Sequence, residues 1–321
     1  MEANSLSNIL SYKKWRQRIH LPQEGIYTMG HLLLPNEWEF NQLPNDLSGK
    51  SFLDVGANDG YYSFEAERRG AERITAVDLY QSNVKGNNTS GWHAEGIQML
   101  KQHLQSKVQI ESKSIYDLDP MEVKSDVVFC SNVISWLPDM SGALKKLCDV
   151  CNDTLILKDG FLDKFNPEPV LRYEKAKGLV EFRANISFVK AILAAKGFDI
   201  VKISTVNTVI PTEWQMKNLP AAASSKKVIA YELPSTNAPS SEHVLKGEWI
   251  TSEYDGFVYV RKVGWVKKED VNVIDRYKPN PLSKAIRSVL PASVLNYRKI
   301  KTGWEPDVKS YVIEAKKKAG H

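Results

Sequence analysis

The stretch LDVGANDGYYSFEAERRGAERITAVDLY, residues 53–80, constrains this chain more than any other. An apolar run ends at Asp54 and Val55, a turn carrying Gly56 and Gly60 follows, a helical pattern opens at Tyr61, and a second β-branched run ends at Asp78. Strand, glycine turn, helix and strand in that order make a βαβ unit, which commits the chain to a parallel sheet with its ligand edge at the carboxyl ends of the strands. Positions 56 and 60 lack a Cβ, so the turn can take positive φ and its backbone can approach a bound molecule closely. Backbone N–H groups at the start of the helix then face that molecule. Asp78 ends the second strand, where a carboxylate can accept hydrogen bonds from both hydroxyls of a ribose. Gly, Asn and Asp are ordinary turn residues, so DVGANDG alone reads equally as a plain turn. Its combination with Asp78 and with the strands below points to a nucleoside.

The glycine spacing narrows which nucleoside. A dinucleotide-binding G-x-G-x-x-G turn starting at Gly56 needs glycines at 58 and 61, but Asn58 and Tyr61 stand there and the closing glycine is Gly60. The resulting G-x-N-x-G suits a methyl donor, S-adenosylmethionine, which has no pyrophosphate to cradle and therefore does not require the tight third glycine. An acid at Asp54 can then assist the amino-acid end of the donor.

From Ser51 onward β-branched runs alternate with helical patterns, as in an α/β fold. The pattern predicts strands at 51–55, 73–77, 107–112, 126–130, 153–158, 198–205 and 226–233, with helices near YYSFEAERRG, EGIQMLKQHLQ, SGALKKLCDVC and NISFVKAILAAKG. The expected architecture is a seven-stranded Rossmann-like sheet with helices on both faces, an N-terminal lid segment and a small C-terminal α+β appendage. The corresponding expected domains are 1–50, a helical or lid segment; 51–233, the cofactor-binding core; and 242–321, a basic appendage beyond the linker-like PSTNAPSS at 234–241. Within the appendage, GEWITSEYDGFVYVRKVGWV reads as a β-meander and 282–301 as a basic amphipathic helix broken by Pro291. In SGALKKLCDVC the apolar helix face holds Ala143, Leu144, Leu147, Cys148 and Cys151, so core packing explains the C-x-x-C pair. No second cysteine or histidine pair completes a zinc site, and no metal is expected.

Residues 13–205 resemble the methyltransferases related to the bacterial tRNA wobble-uridine carboxymethyl-transferring enzymes, a group that includes many small-molecule and glycan methyltransferases. LPNDLSGKSFLDVGANDGYYSFEAERRGAERITAVDL and IYDLDP, residues 115–120, carry the resemblance. It implies a class I fold with S-adenosylmethionine as cofactor. Asp54, Gly56 and Gly60 would surround the methionine portion, with Asn58 in the same turn. Asp78 would hold the ribose, Leu79 would pack on the base, and Ser114, Ile115 and Tyr116 would lie beside the adenine. Cys130, Ser131 and Asn132 would line the floor near the sulfonium. One of Tyr61 and Tyr62 would face the donor while the other packs in the core. Where the subgroup carries Leu-Tyr-His-Leu after the fourth strand, this chain has VISWL, with Trp136 in place of the histidine. The carboxylated donor of the tRNA branch wants a fixed cationic partner, which the sequence does not assign, so ordinary S-adenosylmethionine is expected.

Methyl transfer is an in-line displacement, so the protein aligns the nucleophile and, for a hydroxyl acceptor, removes its proton. Candidate catalytic residues are Asp159 after the fifth strand, equally able to cap a turn, and the histidines His31 and His93. Arg172, Tyr173 and Arg183 lie between the fifth and sixth strands, where acceptor specificity is commonly built. The expected acceptor is a small molecule or glycan, methylated on oxygen. Alternatives are tRNA modification and a catalytically silent scaffold. Three cysteines, the lack of a secretory signal pattern and the lack of a long apolar run suggest a cytoplasmic protein. The net charge of +5 gathers toward the C-terminus and leaves peripheral membrane contact open. The oligomeric state is not legible in the sequence.

Overall fold

The computed structural model describes residues 2–12, 14–30, 37–80, 94–162, 168–176, 179–206, 221–223, 227–232, 234–238, 240–254, 257–260, 264–274 and 308–319. A seven-stranded sheet organises the larger of two compact units, 1–9, 34–209 and 309–321. Its strands are β1 (Ser51–Val55), β2 (Arg73–Asp78), β3 (Gln109–Ser112), β4 (Ser125–Ser131), β5 (Cys151–Leu162), β6 (Phe198–Val206) and β7 (Val308–Lys317). They lie side by side in the order β6, β7, β5, β4, β1, β2, β3. Strands β3, β2, β1, β4 and β5 pair in parallel, and β6 and β7 pair antiparallel. This is the Rossmann-like methyltransferase sheet that the alternating pattern leads one to expect, with one correction. The seventh strand is 308–317, read from sequence as part of a basic tail, whereas 228–231 joins a different sheet.

Period-two alternation assigns each sheet face its own core. Leu53, Val55, Val128, Cys130, Leu155 and Leu157 pack with Leu144, Leu147, Val189 and Leu193 of helices α3 (Met140–Asp149) and α4 (Ile186–Ala195). The intervening residues serve the opposite face. There Phe129 meets Tyr62 of helix α1 (Tyr61–Arg68) with ring centroids 4.5 Å apart, and Phe52 meets Trp38 at 5.8 Å. Helix α2 (Ala94–His103) buries Ile97 and Leu100. Asn185 caps α4 by accepting from the Phe188 N–H at 2.9 Å, which fixes where the helix starts. Helix α3 ends at Asp149, so Cys151 opens β5 instead of riding the helix; both it and Cys148 are buried, and burial pushes each thiol up to about 12.

The second unit comprises 10–33 and 210–308. Its antiparallel sheet is ordered 240–243, 228–231, 264–267, 257–260, 246–254, 221–223, 272–274. Val228, Ala230, Leu245, Val260 and Val266 form its core, and the Trp265 indole donates to the Leu10 carbonyl at 2.9 Å. The strands at 246–254, 257–260 and 264–267 are the expected meander. Residues 234–238, within the expected linker, fall in sequence between the paired strands 228–231 and 240–243. The expected basic helix at 282–301 lies outside the described residues. Among the described residues no helix is long and apolar enough to cross a membrane.

Candidate donor site

The turn after β1 folds back onto the end of β2. The N–H groups of Gly56 and Ala57 both donate to the Val77 carbonyl, at 2.8 and 3.1 Å, and Gly60 N–H closes on Ala57 at 2.9 Å. Gly56, Asn58 and Gly60 all sit at positive φ: 84°, 57° and 92°. Asparagine tolerates that region better than most side chains, which is why it can stand between the glycines. A Cβ at position 56 would collide with Val133 Cγ2, and one at position 60 with Ile97 and Phe64. The space these glycines leave is thus partly filled by the protein itself.

Asp78 fastens the turn. One carboxylate oxygen accepts from the Asn58 N–H at 2.9 Å and the other from its neighbour Leu79 at 2.7 Å. Tyr80 donates its hydroxyl to the Asn58 carbonyl at 2.9 Å, and Ser112 donates to the Tyr80 carbonyl at 2.9 Å. The carboxylate therefore faces the glycine turn. Leu79 is 50% exposed beside it, an apolar side chain uncovered at a sheet edge.

Asp54 is 1% exposed, on the face that α1 covers. It accepts from the Ser63 hydroxyl at 2.8 Å and from Ser63's backbone N–H. Burial, opposed by these two bonds and reinforced by the charge of Asp78, raises its carboxyl to about 7. Asp59, also buried, joins Asp78 and Asp54 in pushing the Tyr80 phenol far above its usual range, after burial itself. Cys130 is buried at the end of β4, and its thiol is driven well up by burial and then by Asp159, Asp54 and Asp78. Asp54, Asp78 and the turn residue Asp59 thus lie close enough to act on Tyr80, and Asp54, Asp78 and Asp159 on Cys130.

Asp159 stands by alternation on the opposite face, with Leu155 and Leu157. Its oxygens accept from Ser135 N–H at 3.2 Å and Gly160 N–H at 2.7 Å, with the Ser135 hydroxyl adding a third bond. Burial raises its carboxyl, while the charge of Arg183 pulls the other way. Arg183 donates to the Gly160 carbonyl at 3.3 Å from the strand Leu179–Ala184, which pairs with Leu171–Ala176 and packs on the 134–136 turn. Asp159 thus ties the 134–136 turn to β5 from within the strand, a correction to the sequence reading, which places it after the fifth strand as a base or as the cap of the next turn. Trp136, 48% exposed, ends the turn.

The other sequence candidates fall as follows. Ser114 caps a short turn by accepting from the Tyr116 N–H at 3.3 Å, Ile115 is buried, and the Tyr116 hydroxyl donates to the Asp139 carbonyl at 3.1 Å. Asn132, at φ 54°, donates its N–H to the Lys158 carbonyl at 2.7 Å and its amide to Ser131 at 3.2 Å. Tyr62 is the core tyrosine, its hydroxyl accepting from Asn41 at 2.7 Å, and Tyr61 is half-buried against it. His31 and His93 lie outside the described residues, and for Arg172 and Tyr173 only their place in the strand 171–176 is described. Sequence reasoning missed Ser63, Asp59 and Ser135. Ser63 alone had a readable signal, because it falls on the first turn of α1 directly after the glycine turn.

A cluster of carboxylates beside a glycine turn suits a ligand with positive charge and sugar hydroxyls. A family model described as a methyltransferase domain matches residues 33–203, more than half of the chain. The chain belongs to the methyltransferase domain family. With its sheet order, this makes it a class I enzyme whose methyl donor is S-adenosylmethionine. The methyltransferase is 25% identical over 226 residues to the tRNA U34 carboxymethyltransferase of Campylobacter fetus, covering 63% of this chain and 71% of that one. To the Campylobacter curvus protein of the same name it is 28% identical over 199 residues, 59% of either chain. A putative S-adenosylmethionine-dependent methyltransferase from Listeria monocytogenes superposes with a TM-score of 0.41 at 17% identity, covering 56% of this chain and 91% of that one.

Proposed function

We propose that the methyltransferase transfers a methyl group from ordinary S-adenosylmethionine to a hydroxyl of a small molecule or glycan. The observation that carries this reading is the sign of the charge around the donor. Asp54 and Asp78 act on both Cys130 and Tyr80, Asp159 adds to them at Cys130 and Asp59 at Tyr80, and the nearby Arg183 is engaged with Gly160 and Asp159. A sulfonium and an ammonium are attracted by such a field, whereas a donor whose transferred group ends in a carboxylate is repelled by it. That favours methyl over carboxymethyl transfer.

When bound, the donor supplies an activated methyl group on a positively charged sulfur. The residues of the chain bind and orient it: Asp78 takes the ribose hydroxyls, and Leu79 covers one face of the base. Ser114, Ile115 and Tyr116 border the adenine. Asp54, Gly56, Gly60 and Tyr61 border the methionine portion, and Cys130 and Asn132 the sulfur. Asp159 is a positioning residue, holding the 134–136 turn and its exposed Trp136 at the edge where an acceptor would enter. Incubation of a panel of hydroxylated small molecules, sugar nucleotides and tRNA with methyl-labelled S-adenosylmethionine, and in parallel with its carboxylated counterpart, tests this reading. A product heavier by one methylene supports it; a carboxymethyl product, or labelling of tRNA alone, contradicts it. The tRNA reading draws on the named relatives and predicts salt-sensitive tRNA binding.

A further inference from the structure

Trp136 ends a turn that touches the donor site, and its own side chain stands outside that site. The turn is of the tight 3-10 kind, closed by the Trp136 N–H donating to the Val133 carbonyl at 3.0 Å and the Leu137 N–H to Ile134 at 3.2 Å. In such a turn the side chains at i and i+3 eclipse, so Val133 and Trp136 share a face, about 6 Å apart along its axis. Val133 shows which face this is: its Cγ2 fills the space beside Gly56, 2.2 Å from where a Cβ on that glycine would lie. The Trp136 indole therefore projects on the side that meets the glycine turn, while Ile134 and Ser135 are buried. The footing is firm. Asn132 N–H donates to the Lys158 carbonyl at 2.7 Å, Ser135 N–H to Asp159 at 3.2 Å, and the strand Leu179–Ala184 packs on the turn. An indole 48% exposed on so well-pinned a turn presents a broad, flat apolar face at the carboxyl edge of the sheet.

We propose that Trp136 is the acceptor-specificity residue of this methyltransferase, selecting an acceptor whose hydroxyl is carried on an aromatic ring that stacks on the indole. The proposal rests on the methyl-transfer reading above and narrows its acceptor. An offset stack grips a flat acceptor by its face and leaves the hydroxyl on its rim free to line up with the donor; an open-chain alcohol gains no such contact. The acid at this edge points the same way. Asp159 is committed to the N–H groups of Ser135 and Gly160, so an acceptor whose hydroxyl is itself acidic asks least of the chain. A phenol, with a pKa of about 10 as in tyrosine, is such an acceptor. In the transfer the phenolic oxygen forms the bond to the methyl carbon. The electron pair of the broken carbon–sulfur bond stays on sulfur, and the phenolic proton leaves to water.

The test compares the full chain with its Trp136→Ala and Trp136→Phe variants, using methyl-labelled S-adenosylmethionine and three acceptor probes: catechol, naphthol and methyl glucoside. Calorimetric titration with S-adenosylmethionine runs beside it and shows that each variant is folded. The expected result is methylation of the two aromatic probes. Trp136→Ala should raise their KM by about tenfold or more with kcat little changed, Trp136→Phe should recover most of that loss, and donor affinity should be the same in all three proteins. Donor binding without an aromatic product overturns the proposal, as does a KM that Trp136→Ala leaves unchanged or a Trp136→Phe variant as impaired as Trp136→Ala. Methylation of the glucoside in place of the aromatic probes overturns it too, while leaving transfer to a hydroxyl standing. A parallel loss of donor affinity in Trp136→Ala assigns the indole a structural role and likewise overturns it. Absence of S-adenosylmethionine binding by the unaltered chain overturns the donor-site reading itself.

Discussion

Two carboxylates at the same edge of the sheet, Asp54 on β1 and Asp159 on β5, begin alike and end differently. Both are buried, and each takes the backbone N–H and hydroxyl of a serine, Ser63 and Ser135. They differ in the sign of their charged neighbour. Asp54 has Asp78, and Asp159 has Arg183 together with a further bond from Gly160. A buried charge with an opposite charge beside it is a fixture, and one with a like charge beside it is poised to respond to a ligand. The 134–136 turn is therefore held by a compensated charge, whereas the charge nearest Asp54 is of its own sign.

Breaking the fixed member should have the largest effect. Asp159→Ala strands the Ser135 and Gly160 N–H groups and removes the negative charge that Arg183 acts on. It should cost about 3 kcal/mol in denaturant unfolding, and a loss below about 1 kcal/mol would show that the turn does not depend on it. Next comes the contact that joins the two sides, where Gly56 makes room for Val133. Gly56→Ala should cost about 2 kcal/mol from crowding and positive φ together. Adding Val133→Ala should recover only the crowding part, since the backbone strain stays.

The responsive member sharpens the comparison through pH. The Asp54 carboxyl is raised to about 7 from 3.8, so the folded state keeps a proton that the unfolded chain gives up. The stability of the ligand-free protein should therefore fall as pH rises from about 4 through about 7, with this group contributing at most about 1.4 kcal/mol per unit. Thermal melts across that range should show the fall, less steeply in Asp54→Asn. An equal slope in both proteins would assign the effect elsewhere, for instance to Asp159, whose carboxyl is also raised.

Six strands of the core sheet, the glycine turn and Asp78 were legible in the sequence because each is a local pattern. Apolar alternation makes the strand, positive φ demands the glycines, and the acid sits at a strand end. The seventh strand was not. Residues 228–231 look as strand-like as any, but they pair with 240–243 and 264–267, while VKSYVIEAKK at 308–317 looks like a charged tail. Inside that tail Val312, Ile313 and Ala315 are buried against the sheet, with lysines concentrated toward the strand's end. Which strand closes a sheet is decided by a partner about a hundred residues away, and no short window records that choice. The serines that hold Asp54 and Asp159 were hidden for the same reason: a buried acid's partner is a fact of packing.

On the proposed function, the acids at the ends of β1 and β2 hold a cationic nucleoside. Titrating the full chain and its Asp78→Ala variant with S-adenosylmethionine at pH 8 tests it most directly. One-site binding that weakens at least about tenfold in the variant is the predicted result. Equal affinity in the two proteins, or no binding by the unaltered chain, would contradict it.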